Sequence, residues 1–249
     1  MKNNKPSFSR LSLWLRAALY SFIFTSTCIL YCFLCLVAAP LPLSLRHRLT
    51  SVWIIGMINL CRSLCHVDYR IEGWSHVKQA KTGIIMSKHQ SAWETLYLQS
   101  HLPQAAMITK KELLWVPFFG WALALLKPIA INRKKTKSAM QQLTNQGQDA
   151  LNAGRWVVIF PEGTRIPYGQ VGKYRLGGAR LAVVSGYPII PVAHNAGRFW
   201  PRRQFIKTPG CIRFAFGPPI YPQGKTPEEL LALTQAWIEN KIKEFDQKN

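Results

Sequence analysis

The first hydrophobic pattern in the chain is a long uncharged run near the N-terminus. No charged residue lies between Arg16 and Arg46, and residues 17–39 are apolar apart from Ser, Thr and Tyr. At about 1.5 Å per residue this span would form a helix about 35 Å long, enough to cross a hydrocarbon core of about 30 Å. The long run, followed by Pro40 and Pro42 rather than a small-residue cleavage site, favours a retained membrane helix over a cleavable signal peptide.

A second apolar stretch, residues 51–64, is interrupted by Arg62 and is too short to span a bilayer comfortably. We expect Arg46, His47 and Arg48, between the two stretches, to face lipid headgroups. Two interpretations of 51–64 stay open: an interfacial helix at the boundary of tails and water, or a core helix of the following domain. Residues 1–65 are predicted to be N-terminal membrane-anchoring helices, and residues 66–249 a globular domain.

From about residue 67 the pattern changes to short β-like runs that alternate with helical ones. The predicted strands are 68–72, 83–86, 107–109, 128–131, 156–160, 188–192 and 212–216. The clearest helix follows Thr226, which is predicted to be its N-cap, with Pro227 at the first position and Glu229 completing a capping box. Helices are also predicted over 138–153 and 177–185. This alternation predicts an α/β fold, a layered sheet with flanking helices, preceded by the N-terminal membrane-associated helical segment.

Composition narrows the functional classes. The chain of 249 residues is 48% hydrophobic, which excludes a disordered protein, and its net charge of +21 predicts a partner that carries phosphate. That partner is a nucleic acid, a lipid headgroup or a small substrate. The chain has no zinc-finger spacing and no basic helix with base-reading spacing, so a membrane-tethered nucleic-acid-binding protein is the weaker alternative. A serine hydrolase is also disfavoured because the chain has no G-x-S-x-G sequence.

Acidic residues are scarce, which focuses attention on two strand-to-loop junctions. The first carries His89, Ser91 and Glu94 after a buried strand. Glu94 could hydrogen-bond one ring nitrogen of His89, so that the other nitrogen accepts a proton from a hydroxyl group. The alternative is structural: Ser91 is the N-cap of the next helix, Ser91 and Glu94 form a capping box, and His89 is a loop residue.

The second junction follows the strand at 156–160 and reads Pro161-Glu162-Gly163-Thr164-Arg165. Pro161 and Gly163 predict a tight turn, and Arg165 supplies a planar donor suited to phosphate. Glu162 also has a purely structural interpretation, in which its carboxylate pairs with Arg165 or caps the turn.

These junctions are part of an ordered set of sequence blocks. The set comprises His89-x4-acid, Lys110-Lys111-Glu112-Leu113, Ile129-Ala130-Ile131-Asn132-Arg133, Phe160-Pro161-Glu162-Gly163-Thr164-Arg165 and Tyr187-Pro188-Ile189-Ile190-Pro191-Val192. Together they resemble the blocks of the glycerolipid acyltransferase family, the group that includes the 1-acyl-sn-glycerol-3-phosphate acyltransferases. The resemblance covers about residues 67–220. Two positions depart from the family pattern: Glu94 stands where Asp is usual, and Asn132 replaces an Asp before Arg133.

The resemblance implies an acyl transfer that uses neither a metal nor another cofactor. His89 would be the general base, with Glu94 as its acidic partner, and acyl-CoA or acyl-carrier protein would be the co-substrate. Lys110, Arg133 and Arg165 would bind the phosphate of a lysophospholipid acceptor. Glu162 would help to hold the glycerol portion, and Gly163 and Thr164 would complete this substrate-binding turn.

The acceptor implied is 1-acyl-glycerol 3-phosphate, acylated at its sn-2 hydroxyl to phosphatidic acid. A lyso-ornithine lipid or lysophosphatidylglycerol is the alternative acceptor. We expect a bacterial inner-membrane protein with its active site at the cytoplasmic face, bound to an anionic membrane surface and not to nucleic acid. Most of Lys134, Lys135, Lys137, Arg198, Arg202, Arg203 and Lys207 are predicted to be solvated or membrane-facing. Trp115, Phe118, Phe119 and Trp121 could line the acyl path, but packing within the protein is favoured.

Overall fold

The N-terminal segment folds as two long helices. The computed structural model describes residues 8–132 and 136–247, and its first helices are α1, Arg10–Val37, and α2, Leu43–Cys65. Helix α1 begins before the apolar run because the Ser9 hydroxyl caps it, accepting from the Ser12 N–H at 3.2 Å. Helix α2 begins directly after Pro42. Residues 46–48 are therefore part of this helix, and the expectation that His47 faces lipid headgroups is wrong because His47 is buried.

Helices α1 and α2 form an antiparallel hairpin. The Tyr31 hydroxyl donates to the Thr50 hydroxyl at 2.7 Å, and the rings of Tyr31 and Trp53 stack 5.0 Å apart. Of the described helices, α1 is long and apolar enough to cross a membrane, and most of its surface is exposed. One face of α2, including Ile54 and Ile58, is buried in the same core as the sheet. The core-helix interpretation thus holds for that face, while Val52 on the same helix is exposed.

All seven predicted strands are present in one sheet, with ends within about two residues of the predicted ones. They are β1 Val67–Glu72, β2 Ile84–Ser87, β3 Ala106–Lys110, β4 Ile129–Ile131, β5 Val157–Ile159, β6 Ile189–His194 and β7 Gly210–Phe216. The strand order is β1-β7-β6-β2-β5-β3-β4. Strands β6, β2, β5, β3 and β4 are parallel to one another, whereas β7 is antiparallel to β6 and pairs in parallel with β1.

Helices cover both faces of the sheet, as the α/β prediction requires. They are α3 Trp74–Ala80, α4 Trp93–His101, α5 Phe119–Ala124, α6 Thr136–Asn152, α7 Gly177–Ser185 and α8 Pro227–Gln247, with short 3-10 helices at Lys111–Trp115 and Ala196–Arg198. Ile85 and Val158 pack in the core that contains α2 and α4, whereas Ile84 and Val157 pack in the core that contains α6 and α7. Successive strand residues therefore serve opposite layers.

The predicted N-terminus of the last helix is confirmed. The Thr226 hydroxyl accepts from the Glu229 N–H at 3.2 Å, and the Glu229 carboxylate accepts from the Thr226 N–H at 2.7 Å. These reciprocal bonds are a capping box. They fix the start of α8, which packs against the sheet through Ile238 and Phe245.

One prediction about side-chain environment is wrong, and one basic residue is an exception to another. Trp115, Phe118, Phe119 and Trp121 do not pack in the interior, and Trp115 is 75% exposed. They lie on a short 3-10 helix and the short helix α5, which leave one side uncovered. Lys207, by contrast, is buried, with its ammonium group 5.0 Å from the ring centre of Tyr20 and 5.2 Å from that of Trp200. Aromatic rings compensate for its removal from water.

The parallel strands bring the predicted site residues to one edge of the sheet. β2 and β5 are neighbours that run in the same direction, so the residues after Ser87 and after Ile159 leave the sheet at the same edge. Lys110 ends the next parallel strand, β3, at this edge. Ligands of open α/β sheets bind at the carboxyl ends of their strands.

Candidate active site

The loop between β2 and α4 brings the predicted histidine and acid together. His89 lies before α4 and Glu94 is in the first turn of that helix, and His89 Nδ1 is 2.9 Å from Glu94 Oε1. Because the buried carboxylate accepts this bond, Nδ1 carries the proton and Nε2 presents a lone pair. The imidazole ring stacks on Phe160 with the ring centres 4.0 Å apart, which fixes its plane.

The capping function of Glu94 is present as well. The same atom, Oε1, accepts from the backbone N–H of Gln90 at 2.9 Å and of Ser91 at 2.8 Å. The helix begins at Trp93 and its N-cap is Ala92, so the prediction of Ser91 as N-cap is wrong by one residue. The Ser91 hydroxyl nevertheless accepts from the Trp93 N–H at 3.1 Å. The two interpretations of this loop are therefore compatible, because one carboxylate oxygen serves both.

The environment of Glu94 keeps its carboxyl ionised. Burial raises the pKa of Glu94, but the neighbouring imidazoles of His194 and His89 and the backbone donor Ser91 lower it, and the net pKa lies below the ordinary value. His194 is itself buried, and burial lowers its pKa. Its Nδ1 accepts from the Ala196 N–H and its Nε2 donates to the Lys88 carbonyl at 2.8 Å, so we treat it as neutral. We therefore assign the lowered pKa of Glu94 chiefly to its hydrogen-bond donors.

The second predicted turn contacts the first directly. Glu162 Oε2 accepts from the His89 N–H at 3.0 Å, and the Ile166 N–H donates to the His89 carbonyl at 2.8 Å. Gly163 adopts a φ of 69°, which allows the tight turn, and its N–H donates to the Phe160 carbonyl at 2.9 Å. Glu162 is buried, and its Oε1 lies 2.8 Å from Lys88 Nζ. The alternative of a Glu162–Arg165 ion pair is thus replaced by a Glu162–Lys88 pair.

The remaining predicted substrate residues line the same edge where the structure describes them. Thr164 is exposed and Arg165 is half-buried, and Lys110 is exposed at the end of β3. Arg202 Nη1 approaches the Thr164 hydroxyl at 3.3 Å and the Arg165 carbonyl at 3.4 Å. Arg133 lies outside the described residues, after β4.

Sequence reasoning missed the charged residues beneath these turns. Lys88 is 1% exposed and forms ion pairs with Glu162 and Glu239, and Glu239 also accepts from the Tyr174 hydroxyl at 2.8 Å. A lysine next to a predicted catalytic histidine resembles a surface residue in sequence. Its position directly after a wholly buried strand was the only local signal that it is buried. Among residues 8–132 and 136–247, no group of three or more His, Cys, Asp or Glu side chains could hold a metal ion.

Comparison with known proteins establishes the family. A profile of the Acyltransferase family matches residues 68–195, the segment that contains both turns. A 1-acyl-sn-glycerol-3-phosphate acyltransferase of Pseudomonas aeruginosa is 42% identical over 93% of this chain and 91% of its own length. This chain belongs to the Acyltransferase family.

Other relatives of this acyltransferase support the same family assignment or the same fold. The 1-acyl-sn-glycerol-3-phosphate acyltransferase alpha of Mus musculus is 28% identical over 82% of this chain and 73% of its own length. The crystal structure of the 1-acyl-sn-glycerophosphate (LPA) acyltransferase PlsC from Thermotoga maritima superposes with a TM-score of 0.77 and 22% identity, covering 93% of this chain and 95% of that one. That likeness confirms the predicted fold, including the helices before the sheet.

The geometry of the acyltransferase site suits proton transfer from a hydroxyl group. An imidazole with its Nδ1 proton held by a buried carboxylate can accept a proton at Nε2, and the carboxylate then stabilises the resulting imidazolium. The turn at 161–165, which carries Arg165, binds the backbone of the same histidine through Glu162.

We expect Glu94→Gln to reduce kcat by about 10²-fold or more in protein that still folds. The glutamine keeps an acceptor oxygen for the Gln90 and Ser91 amides but removes the negative charge that supports the imidazolium. Steady-state kinetics and thermal unfolding of the same preparation test this expectation. A variant with a lowered unfolding temperature and undiminished turnover would show that Glu94 acts only as a cap.

Proposed function

We propose that this acyltransferase transfers a fatty acyl group from an acyl thioester to the sn-2 hydroxyl of 1-acyl-glycerol 3-phosphate, giving phosphatidic acid. The observation that carries the proposal is the hydrogen bond between His89 and Glu94 in direct contact with the turn that holds Arg165. The names of the relatives from Pseudomonas aeruginosa and Mus musculus support the same acceptor.

In the proposed mechanism, His89 Nε2 removes the proton of the acceptor hydroxyl as its oxygen attacks the thioester carbonyl carbon. The resulting tetrahedral intermediate collapses as the carbon–sulfur bond breaks, and the imidazolium returns the proton to the thiolate. Glu94 holds the ring and stabilises its transient positive charge. The products are the acylated lipid and the free thiol of coenzyme A or acyl-carrier protein, and we propose no metal or other cofactor.

The phosphate of the acceptor is assigned to basic residues at the carboxyl edge of the sheet. Arg165 offers a planar pair of donors and directly precedes Ile166, whose N–H binds the His89 carbonyl, and Lys110 ends strand β3. Arg133 completes the set by its sequence position after β4. We propose that Glu162 acts mainly by holding the His89 backbone, because it is buried, its Oε1 is ion-paired with Lys88 and its Oε2 accepts from the His89 N–H. A contact of Glu162 with the glycerol portion stays a prediction.

Membrane association is supported by two adjoining apolar surfaces. One is the exposed side of α1, and the other is an aromatic ledge formed by Trp115, Phe118, Phe119 and Trp121. The two are continuous, since the rings of Phe33 in α1 and Phe118 lie 4.9 Å apart. Tryptophan and phenylalanine beside lysines suit the boundary between lipid tails and headgroups. We propose that the site faces an anionic leaflet, at the cytoplasmic side of a bacterial inner membrane.

The function is tested with purified protein in detergent micelles, one labelled thioester and a panel of acceptors. The panel contains 1-acyl-glycerol 3-phosphate, lysophosphatidylglycerol, a lyso-ornithine lipid and glycerol 3-phosphate. We expect labelled phosphatidic acid, and a loss of about 10²- to 10⁴-fold in His89→Ala. His76→Ala is the matched control, because His76 contacts the Phe216 carbonyl rather than the two turns. Preferential labelling of another acceptor would refute the proposed substrate.

We expect Arg165→Ala to raise the KM for the phosphorylated acceptor by about tenfold or more and to leave the KM for the thioester nearly unchanged. The loss of a charge-assisted hydrogen bond to phosphate affects only the substrate that carries that phosphate. Arg180→Ala, on the exposed surface of α7, removes the same charge as a control. Equal increases in both KM values would argue against a phosphate contact.

The aromatic ledge is tested with Trp115→Ser/Phe119→Ser, two substitutions of exposed side chains. The KM for an acceptor presented in anionic vesicles should rise by roughly tenfold, the factor for about 1.4 kcal/mol of lost apolar burial. The KM in detergent micelles should change much less. Leu233→Ser removes an equally exposed apolar side chain from α8 and should affect neither value. Unchanged kinetics on vesicles would show that the ledge does not touch the lipid.

A further inference from the structure

A cluster of charged side chains, those of Lys88, Glu162 and Glu239, lies next to the loop that carries His89. Lys88 Nζ is 2.8 Å from Glu162 Oε1 and 2.8 Å from Glu239 Oε1, and it donates to the Gln170 carbonyl at 3.2 Å. The Lys88 and Glu162 side chains are almost completely buried, and that of Glu239 is 17% exposed. Two carboxylates thus share one ammonium group away from bulk water.

Removing these charges from water costs free energy, so each charged group needs partners that compensate for the loss. Glu239 accepts a second bond from the Tyr174 hydroxyl at 2.8 Å, and the other carboxylate oxygen of Glu162, Oε2, accepts from the His89 N–H at 3.0 Å. The chain of contacts therefore begins at α8, passes through Lys88 and Glu162, and ends on the backbone of the catalytic histidine. Lys88 and Glu239 are 151 residues apart in sequence.

We propose that Lys88 and Glu239 are positioning residues that set the orientation of His89, an inference that rests on the proposed role of His89 as general base. Neither side chain touches the substrate. Lys88 holds the Glu162 carboxylate in the place where it accepts from the His89 N–H, and Glu239 holds Lys88. The C-terminal helix α8 thereby determines the geometry of a loop near the start of the domain.

The physical reason is that the His89 main chain is fixed from both sides by the turn at 161–165. Glu162 binds its N–H, and the Ile166 N–H binds its carbonyl at 2.8 Å. If Lys88 is released, Glu162 loses its partner in a buried site and can rotate, which frees the His89 amide and loosens the contact with Glu94. A displacement of about 1 Å in a reacting group can reduce a rate by about 10²-fold.

The principal test is Glu239→Gln, which keeps the shape of the side chain and removes its charge. We expect kcat to fall by about tenfold or more while the KM values of both substrates stay within about twofold, because no substrate contact is lost. Glu244→Gln makes the same change on an exposed position of α8 that pairs only with a lysine, and it should behave as the native protein.

A second set of variants distinguishes positioning from general stability. Lys88→Arg keeps the charge and should retain more turnover than Lys88→Met, which leaves two buried carboxylates without a cation. If Lys88→Met does not fold, the combination Lys88→Met/Glu239→Gln removes one of those carboxylate charges as well. Kinetics are measured well below each unfolding temperature, so that loss of folded protein does not contribute.

The imidazole nitrogen resonances of ¹⁵N-histidine-labelled protein give a readout that needs no substrate. They report whether His89 Nδ1 still donates to Glu94. Support requires both the lower kcat and altered His89 resonances in Glu239→Gln, and either one unchanged overturns the proposal. If the native protein does not acylate 1-acyl-glycerol 3-phosphate, the resonances alone decide, so the failure of the proposed function is distinguishable from failure of this inference.

Discussion

The active site depends on one buried carboxylate oxygen, Glu94 Oε1. It accepts from the His89 imidazole and from two consecutive backbone N–H groups, all within 2.9 Å. The backbone bonds fix the carboxylate at the start of α4, and the fixed carboxylate in turn fixes the tautomer of His89. Chemistry and local folding therefore use the same atom, and a residue that only orients the histidine, without binding the loop, would provide less rigidity.

The sheet is the second constraint on the site, and much of the sheet structure could be predicted from the sequence. The short apolar runs identified every strand, and the parallel pairing of β2 with β5 follows from helices between strands. The His89–Glu94 pair could be predicted because the two residues are only five apart in sequence. The pairing of Lys88 with Glu239 could not be predicted, since no local pattern relates positions so far apart. The same limit applies to Lys207, whose aromatic partner Tyr20 comes from a distant segment.

The N-terminal hairpin, which includes the candidate membrane helix α1, packs against the helix that carries Glu94. Tyr20 of α1 and Ile58 of α2 lie in the core that also contains Trp93 and Tyr97 of α4, the helix that carries Glu94. His47 of α2 adds a buried hydrogen-bonded contact with Gln99 of α4. Burial lowers the pKa of His47 to about 4, so it stays neutral near pH 7 and needs no counter-charge there. Because the hairpin and α4 share a core, the placement of α1 in a bilayer would also determine the direction in which the site faces.

The presence of glutamate rather than aspartate at position 94 has a physical consequence for pH. The additional methylene lets the carboxylate fold back over the first turn to reach the loop amides and the imidazole together. Its place at a helix N-terminus also favours the ionised form. The folded-state pKa of Glu94 is below the unfolded value, so its stabilising effect is complete above the unfolded pKa and is lost as the pH falls through the folded pKa. Glu94 therefore keeps its negative charge throughout the neutral range, where the proposed general base, His89, would exchange protons with the substrate.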